Sequence, residues 1–153
     1  MRKLALIAAL VFLFPLATFA QSAADVDKSI DTSLGDRTEY QALFTHLQKG
    51  VAAHDSAAVA ALVHYPITIK IKAGPTTFRT PQQFIASYDE IFTPAITKAV
   101  TDQKYSDLFV NYKGVMFGNG QVWLNSICQH PKDKSCKVSV ARIVTIQDTS
   151  DIK

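Results

Sequence analysis

A change of hydrophobic period near residue 65 constrains this chain more than any other feature. Upstream, Tyr40, Leu43, Phe44, Leu47 and Val51 recur at helical spacing and lay one apolar stripe along a helix. Downstream, Tyr65, Ile67, Ile69 and Ile71 alternate with Pro66, Thr68, Lys70 and Lys72, the pattern of a half-buried strand with its lysines outward. A chain that is helical first and strand-rich afterwards is α+β.

Local signals fill in the order. Asp36-x-x-Glu39 is a capping box with Asp in the cap position, and it opens a helix that runs to about His54. Asp55 caps a second short helix with Val59 and Leu62 inward. Gly74-Pro75 is expected to turn the chain into a short return strand, Thr76 to Arg79. Thr80-Pro81 starts a helix, with Thr as cap and Pro at the first helical position. Its apolar stripe is Phe84, Ile85, Tyr88, Ile91 and Phe92; Thr93-Pro94 interrupts it, and 95–100 continues as helix. Strands follow at 108–112, 115–117, 121–128 and 137–146, with Asn119-Gly120 as a hairpin signal because both residues tolerate positive φ.

The first twenty residues read as an address. Met1-Arg2-Lys3 is positive, Leu4 to Phe14 is unbroken apolar, Pro15 ends the run, and Thr18-Phe19-Ala20 offers a cleavage site. An apolar core of this length is shorter than the roughly 17–25 residues a spanning helix needs, so cleavage is expected over anchoring, with no membrane span afterwards. The division expected is a signal peptide over 1–20, a flexible leader over 21–35, one domain over 36–148 and a tail over 149–153. The destination is periplasmic or secreted. Cys128 and Cys136 flank a polar turn containing His130-Pro131-Lys132-Asp133-Lys134, and in an oxidising compartment a disulfide there would staple a hairpin. Their spacing is neither that of a redox CxxC pair nor that of a zinc site.

Charge excludes one class of partner. The net charge of +3 is 16 basic less 13 acidic residues, and two of the basic ones are Arg2 and Lys3. Without them the balance is 14 against 13, and no Lys/Arg cluster points to nucleic acid. No phosphate-binding loop, nucleophile elbow or dinucleotide fingerprint is present, and His46, His54, His64 and His130 do not converge with carboxylates at metal spacing. No metal and no cofactor are expected.

The order of elements, together with Tyr65-Pro66-Ile67, Phe84-x-x-x-Tyr88-Asp89-x-Ile91-Phe92 and Gly114-Val115-Met116-x-Gly118-Asn119-Gly120-Gln121-Val122-Trp123, resembles the nuclear transport factor 2-like (cystatin-like) superfamily over residues 36–146. Within it the phrases are similar to a group of small exported bacterial proteins. The resemblance implies a bent antiparallel sheet wrapped around a long helix to make a cone, preceded by N-terminal helices. The superfamily spans isomerases, dehydratases, plain binding modules and subunits without pocket chemistry, so function has to come from the site.

Five residues are the candidates. Tyr88 points to the core of its helix, and Asp89 sits about 100° round, at the edge of the apolar face. Such a carboxylate either enters the mouth of a cone, where desolvation raises its pKa and suits it to proton transfer, or bonds a neighbouring loop. Superfamily isomerases and dehydratases resemble this in using an Asp with a Tyr or His, which makes Asp89 and Tyr88 the pair for an enzyme. Strand parity puts Arg142 with Val138, Val140, Val144 and Ile146 on the more apolar face, where it is costly unless paired or wet. It either lines a pocket, binding an anion or Asp89, or snorkels at the sheet edge. Trp123 and Asn125 share a face of their strand, with Trp123 in the core, at an interface or stacking on a ligand.

The reading is an exported, non-catalytic envelope protein, monomer or homodimer, that binds a small molecule or an envelope protein; an inhibitor or immunity protein belongs to this class. The alternative is a cofactor-free isomerase, dehydratase or hydrolase using an Asp/Tyr pocket. A cone plugged by Tyr65, Phe84, Tyr88 and Trp123 would favour protein binding; an open one holding Asp89 and Arg142 would favour chemistry or anion binding. One intact-mass measurement of the native protein checks both the address and the staple. The expected mass is that of Gln21–Lys153 less two hydrogens, with no thiol labelled before reduction; a mass that retains residues 1–20, or two reactive thiols, refutes the corresponding expectation.

Overall fold

The computed structural model describes residues 21–71, 74–128 and 139–149. Six α-helices and six strands follow one another as α1 (Ala23–Ser33), α2 (Arg37–Ala52), α3 (Ser56–Ala60), β1 (Ile67–Ile71), β2 (Gly74–Phe78), α4 (Pro81–Ala86), α5 (Tyr88–Ile91), α6 (Pro94–Thr101), β3 (Phe109–Asn111), β4 (Gly114–Phe117), β5 (Val122–Cys128) and β6 (Ser139–Ile146), with a 3-10 turn over Tyr105–Asp107. The α+β order expected from the period change is the order observed. The signal segment 1–20 and Cys136 lie outside the described residues. Among those that are described, no helix is long and apolar enough to cross a membrane.

β3, β4, β5 and β6 form an antiparallel sheet in that order, and β1 pairs with β2 as a separate hairpin. The two are linked through the segment that leads into β1. Val63 bridges Ile143 of β6 in parallel, with His64 N–H donating to Ile143 O and Ile143 N–H donating to Leu62 O, both at 2.9 Å. One sheet face is buried: Val115 and Phe117 of β4, Val122 and Leu124 of β5, and Ala141, Ile143 and Ile146 of β6. The helices pack on it. α2 contributes Tyr40, Leu43, Leu47 and Val51, so the sequence stripe is the core stripe, with Phe44 half-buried at its edge. Tyr40 also spans the layers, its hydroxyl 2.9 Å from Ser126 Oγ. Gln48 donates to Val100 O and Gln103 O, fastening α2 to α6 and the turn after it.

Four local expectations are corrected. Residues 21–34, expected as a loose leader, contain α1. Ser22 and Asp25 form a reciprocal capping box, and Val26 and Ile30, one turn apart, are fully buried. Two apolar residues in an otherwise polar segment suffice because the tertiary structure supplies the hydrophobic surface. Asp27 on the same helix accepts bonds from Tyr105 Oη at 2.7 Å and Gln41 Nε2 at 2.8 Å. Gly35 then ends the helix at φ +113°, a conformation that strains any residue with a Cβ.

The helix expected over 81–92 is broken at Ser87, which leaves the helical region with φ −113° and ψ 17°. Phe84, Tyr88, Ile91 and Phe92 stay buried while Ile85 turns outward. Helices of six and four residues have no stability of their own, so packing decides where the chain bends. Gly74 and Pro75 belong to β2, paired with Ile71 and Lys70. β2 is an edge strand, where the missing proline N–H removes no ladder bond on the open side. At the β4–β5 turn positive φ falls on Gly118 and Gly120, not on Asn119.

Docking of α1 is testable by truncating its anchor. Ile30→Ala should destabilise the protein by about 2–4 kcal/mol in denaturant titration, and Thr32→Ala, on the exposed side of the same helix, by less than about 0.5 kcal/mol. Equal, small effects would mean that α1 contributes nothing to the fold.

Candidate functional site

The five sequence candidates fall into two places. Tyr88 and Asp89 stand at the start of α5, beside the C-terminus of α2. α2 ends by turning His54 into the left-handed region, φ +53°, with Asp55 N–H donating back to Gly50 O at 2.8 Å. This closure sets the His54 ring edge-on against Tyr88, centroids 5.1 Å apart, and His54 Nε2 lies 3.0 Å from Asp89 Oδ1. The pairing was not read from the sequence, because it depends on how α2 and α5 dock across thirty-four intervening positions. Its two partners are solvated: the side chains of His54 and Asp89 are 73% and 81% exposed. Asp89 therefore does not enter a dry mouth, and a contact between two solvated side chains of this kind contributes little to stability.

Tyr88 is the opposite case. It is 4% exposed and its hydroxyl finds no hydrogen-bond partner among the described residues. Burial pushes the phenol up to about 12, and the negative charges of Asp89 and Asp55 push it the same way. Its ring stacks on Phe92 at 4.7 Å and meets Phe84 edge-on, and Phe84 in turn meets Tyr65 and Phe78. Tyr65 donates to Ala60 O at 3.0 Å. The ground between α3, α4, α5 and the β1–β2 hairpin is thus filled with five aromatic rings. Three of the four residues expected to plug a cone are in this cluster; Trp123 is not.

Trp123, Asn125 and Arg142 lie together on the other face of the four-stranded sheet. The expectation that Arg142 shares a face with Val140, Val144 and Ile146 holds for Val140 and fails beyond it at a bulge. Trp123 pairs with Thr145 but Leu124 pairs with Ile143, which leaves Val144 unopposed and shifts the alternation by one. Ala141, Ile143 and Ile146 therefore point to the core, and Arg142 points away from it, half-buried, directly across from Asn125. Arg142 Nη1 donates to Ala141 O at 2.9 Å. Among the described residues the ion pairs are Asp31–Arg37, His54–Asp89 and Lys98–Asp102, so Arg142 and Asp89 do not pair.

Around Arg142 the face is apolar. Register puts Met116 beside Trp123 and Phe109 beside Met116, and it puts Val140 opposite Ile127. Met116, Trp123, Ile127 and Val140 are half-buried, Phe109 is 51% exposed, and Tyr112 at the β3–β4 turn is 78% exposed. No sequence signal singled out Phe109 and Met116; the alternation of β3 and β4 would have found them had the register of four strands been known. Cys128 ends β5, and no cysteine among the described residues is free.

Surface grooves among the described residues include two that contain no sequence candidate. One of about 370 Å³ lies between α2 and α3, lined by His46, Lys49, Gly50, Ala53, Asp55, Ala58 and Leu62. The other, about 570 Å³ and open, lies beside α6 and the β4–β5 turn. Among the described residues no group of three or more His, Cys, Asp and Glu is placed to hold a metal ion.

The unpartnered phenol leads to a paired test. Tyr88→Phe should leave stability unchanged or raise it by up to about 1 kcal/mol, whereas Tyr40→Phe, which breaks the bond to Ser126, should cost about 0.5–1.5 kcal/mol. A phenol raised from 10.0 to about 12 by folding favours the native state fully below pH 10 and loses that contribution as pH rises to 12. Denaturant titration across that window should therefore show Tyr88→Phe losing less stability than the parent; equal losses would refute the assignment.

Compared with family models, with curated proteins and with solved structures, the chain finds no match.

Proposed function

We propose that this chain is an exported, non-catalytic binding protein of the nuclear transport factor 2-like type, and that it binds a protein through the outer face of its four-stranded sheet. The observation that carries this reading is the contrast between the two sides of the sheet. The side where a cone would hold a small ligand is packed with side chains, ending in the Tyr65, Phe78, Phe84, Tyr88 and Phe92 cluster. The other side offers Phe109, Met116, Trp123, Ile127 and Val140, each half-buried or exposed among the described residues. Uncovered apolar surface of this kind marks interaction sites, and aromatic residues with an arginine among them are the commonest anchors.

The family assignment is supported by the element order and by the parallel bridge from Val63 to β6, which brings the β1–β2 hairpin alongside the main sheet. Export to the periplasm or beyond is supported by the signal-peptide pattern of 1–20 and by the cysteine pair. An inhibitor or immunity protein acting in the envelope fits this class. The enzyme reading is supported less well. Proton transfer by Asp89 would need a carboxylate shielded from water, and Asp89 is 81% exposed beside an equally solvated histidine.

Affinity capture from envelope extract, with mass spectrometry of proteins and of small molecules, separates the readings. The expected outcome is a protein retained by the parent chain and reduced at least about tenfold by Trp123→Ala, since truncating a hot-spot anchor costs about 2 kcal/mol or more and about 1.4 kcal/mol is tenfold. Capture indifferent to Trp123→Ala, or a small molecule whose retention is lost in Tyr88→Phe, would overturn the proposal.

A further inference from the structure

Resting on the sheet-face reading above, we infer that the partner presents an aspartate or glutamate set among apolar side chains, and that this carboxylate is received by Arg142. β3 to β6 hold a single charged residue, Arg142, near the middle of the longest strand. The other outward side chains of β5 and β6 around it are apolar or neutral: Trp123, Asn125, Ile127, Val140 and Thr145. A guanidinium carries five N–H donors, and the structure gives one of them a bond, to Ala141 O. Among the described residues no carboxylate forms an ion pair with it.

A lone, half-buried arginine in an apolar field weakens the sheet unless its charge is used. The fork of the guanidinium matches a carboxylate in two parallel hydrogen bonds, and a surface that removes water strengthens both. Asn125 is held by its own contacts, donating from Nδ2 to Lys113 O at 3.0 Å and accepting from Ser126 N–H at 2.7 Å. It fixes the polar rim beside the arginine and leaves Arg142 as the group that reads charge. At the β3–β4 turn the next charge is Lys113, also positive, lying over the Tyr112 ring at 5.8 Å.

The sign of these charges also selects against a second copy. Two identical faces in contact would set arginine and lysine against arginine and lysine, with no carboxylate from any of the four strands to answer them. The face is complementary to something acidic, not to itself.

The test uses the full chain, purified after expression from its complete coding sequence, and a random peptide display library as probe. Selected peptides should combine Asp or Glu with aromatic or aliphatic residues. They should bind Arg142→Gln and Trp123→Ala at least about tenfold more weakly than the parent, with Arg142→Lys in between because an ammonium cannot fork. Arg79→Gln, beyond β2, should bind as the parent does, and circular dichroism should show all variants folded. Peptides without acidic residues, or peptides indifferent to Arg142→Gln, would overturn the acidic partner; if they are still lost in Trp123→Ala, the sheet face stands as a protein-binding surface. Binding that survives both substitutions, or no enrichment over bare support, overturns both. Light scattering that finds a dimer dispersed by Trp123→Ala would assign the face to a second copy and overturn the inference.

Discussion

The sheet has one face that cannot stand in water, and the rest of the molecule is arranged around covering it. Val115, Phe117, Val122, Leu124, Ala141, Ile143 and Ile146 make a continuous apolar surface. At about 25 cal/mol per Å² of apolar area removed from water, a layer over such a surface is the main source of stability available to a chain this size. α2 supplies most of the layer. α1, with two buried residues, is recruited to complete it and is held by Asp27 as much as by Val26 and Ile30. The bond between Tyr40 and Ser126 satisfies the polar atoms trapped where the layers meet.

Filling that side has a functional consequence. The β1–β2 hairpin, α4 and α5 close over the end of the core with aromatic rings stacked edge to face, and space that a ligand would need is taken by Phe84 and Tyr88. The packing is dense enough to trap one phenol without a partner. A group in that state is a cost of order 1–3 kcal/mol, tolerated because the ring itself contributes to the cluster. The polar chemistry nearest to it, His54 with Asp89, is outside in solvent. The outer face of the four-stranded sheet is the one we propose for binding.

That outer face is defined by a single backbone irregularity. Were β6 to alternate strictly, without a bulge at Val144, Arg142 would face inward with Ile146 and Ala141 and Ile143 would face outward. The bulge keeps Ile143 and Ile146 both on the core side although they are three positions apart, and it puts the one charge of the four strands on the outer face.

The sequence by itself determined the order of helices and strands from α2 onward, though not α1 or the break at Ser87. Helical and strand periods, the caps Asp36, Asp55, Thr80 and Thr93, and the prolines after the last two act within a few residues, and each is found where its local chemistry puts it. Tyr65, Phe84 and Tyr88 were legible as buried for the same reason. Tertiary structure decided what depends on distant partners. It made a helix of 23–33 because a hydrophobic surface was waiting for Val26 and Ile30, and it bent the chain at Ser87 because packing outweighs the weak cooperativity of a short helix. It joined His54 to Asp89, separated Asp89 from Arg142, and chose the face of Arg142 through a bulge that no period-two pattern encodes. Local propensity is a sum over neighbours in the chain, whereas a site is a coincidence of surfaces, and surfaces exist only once the layers have packed.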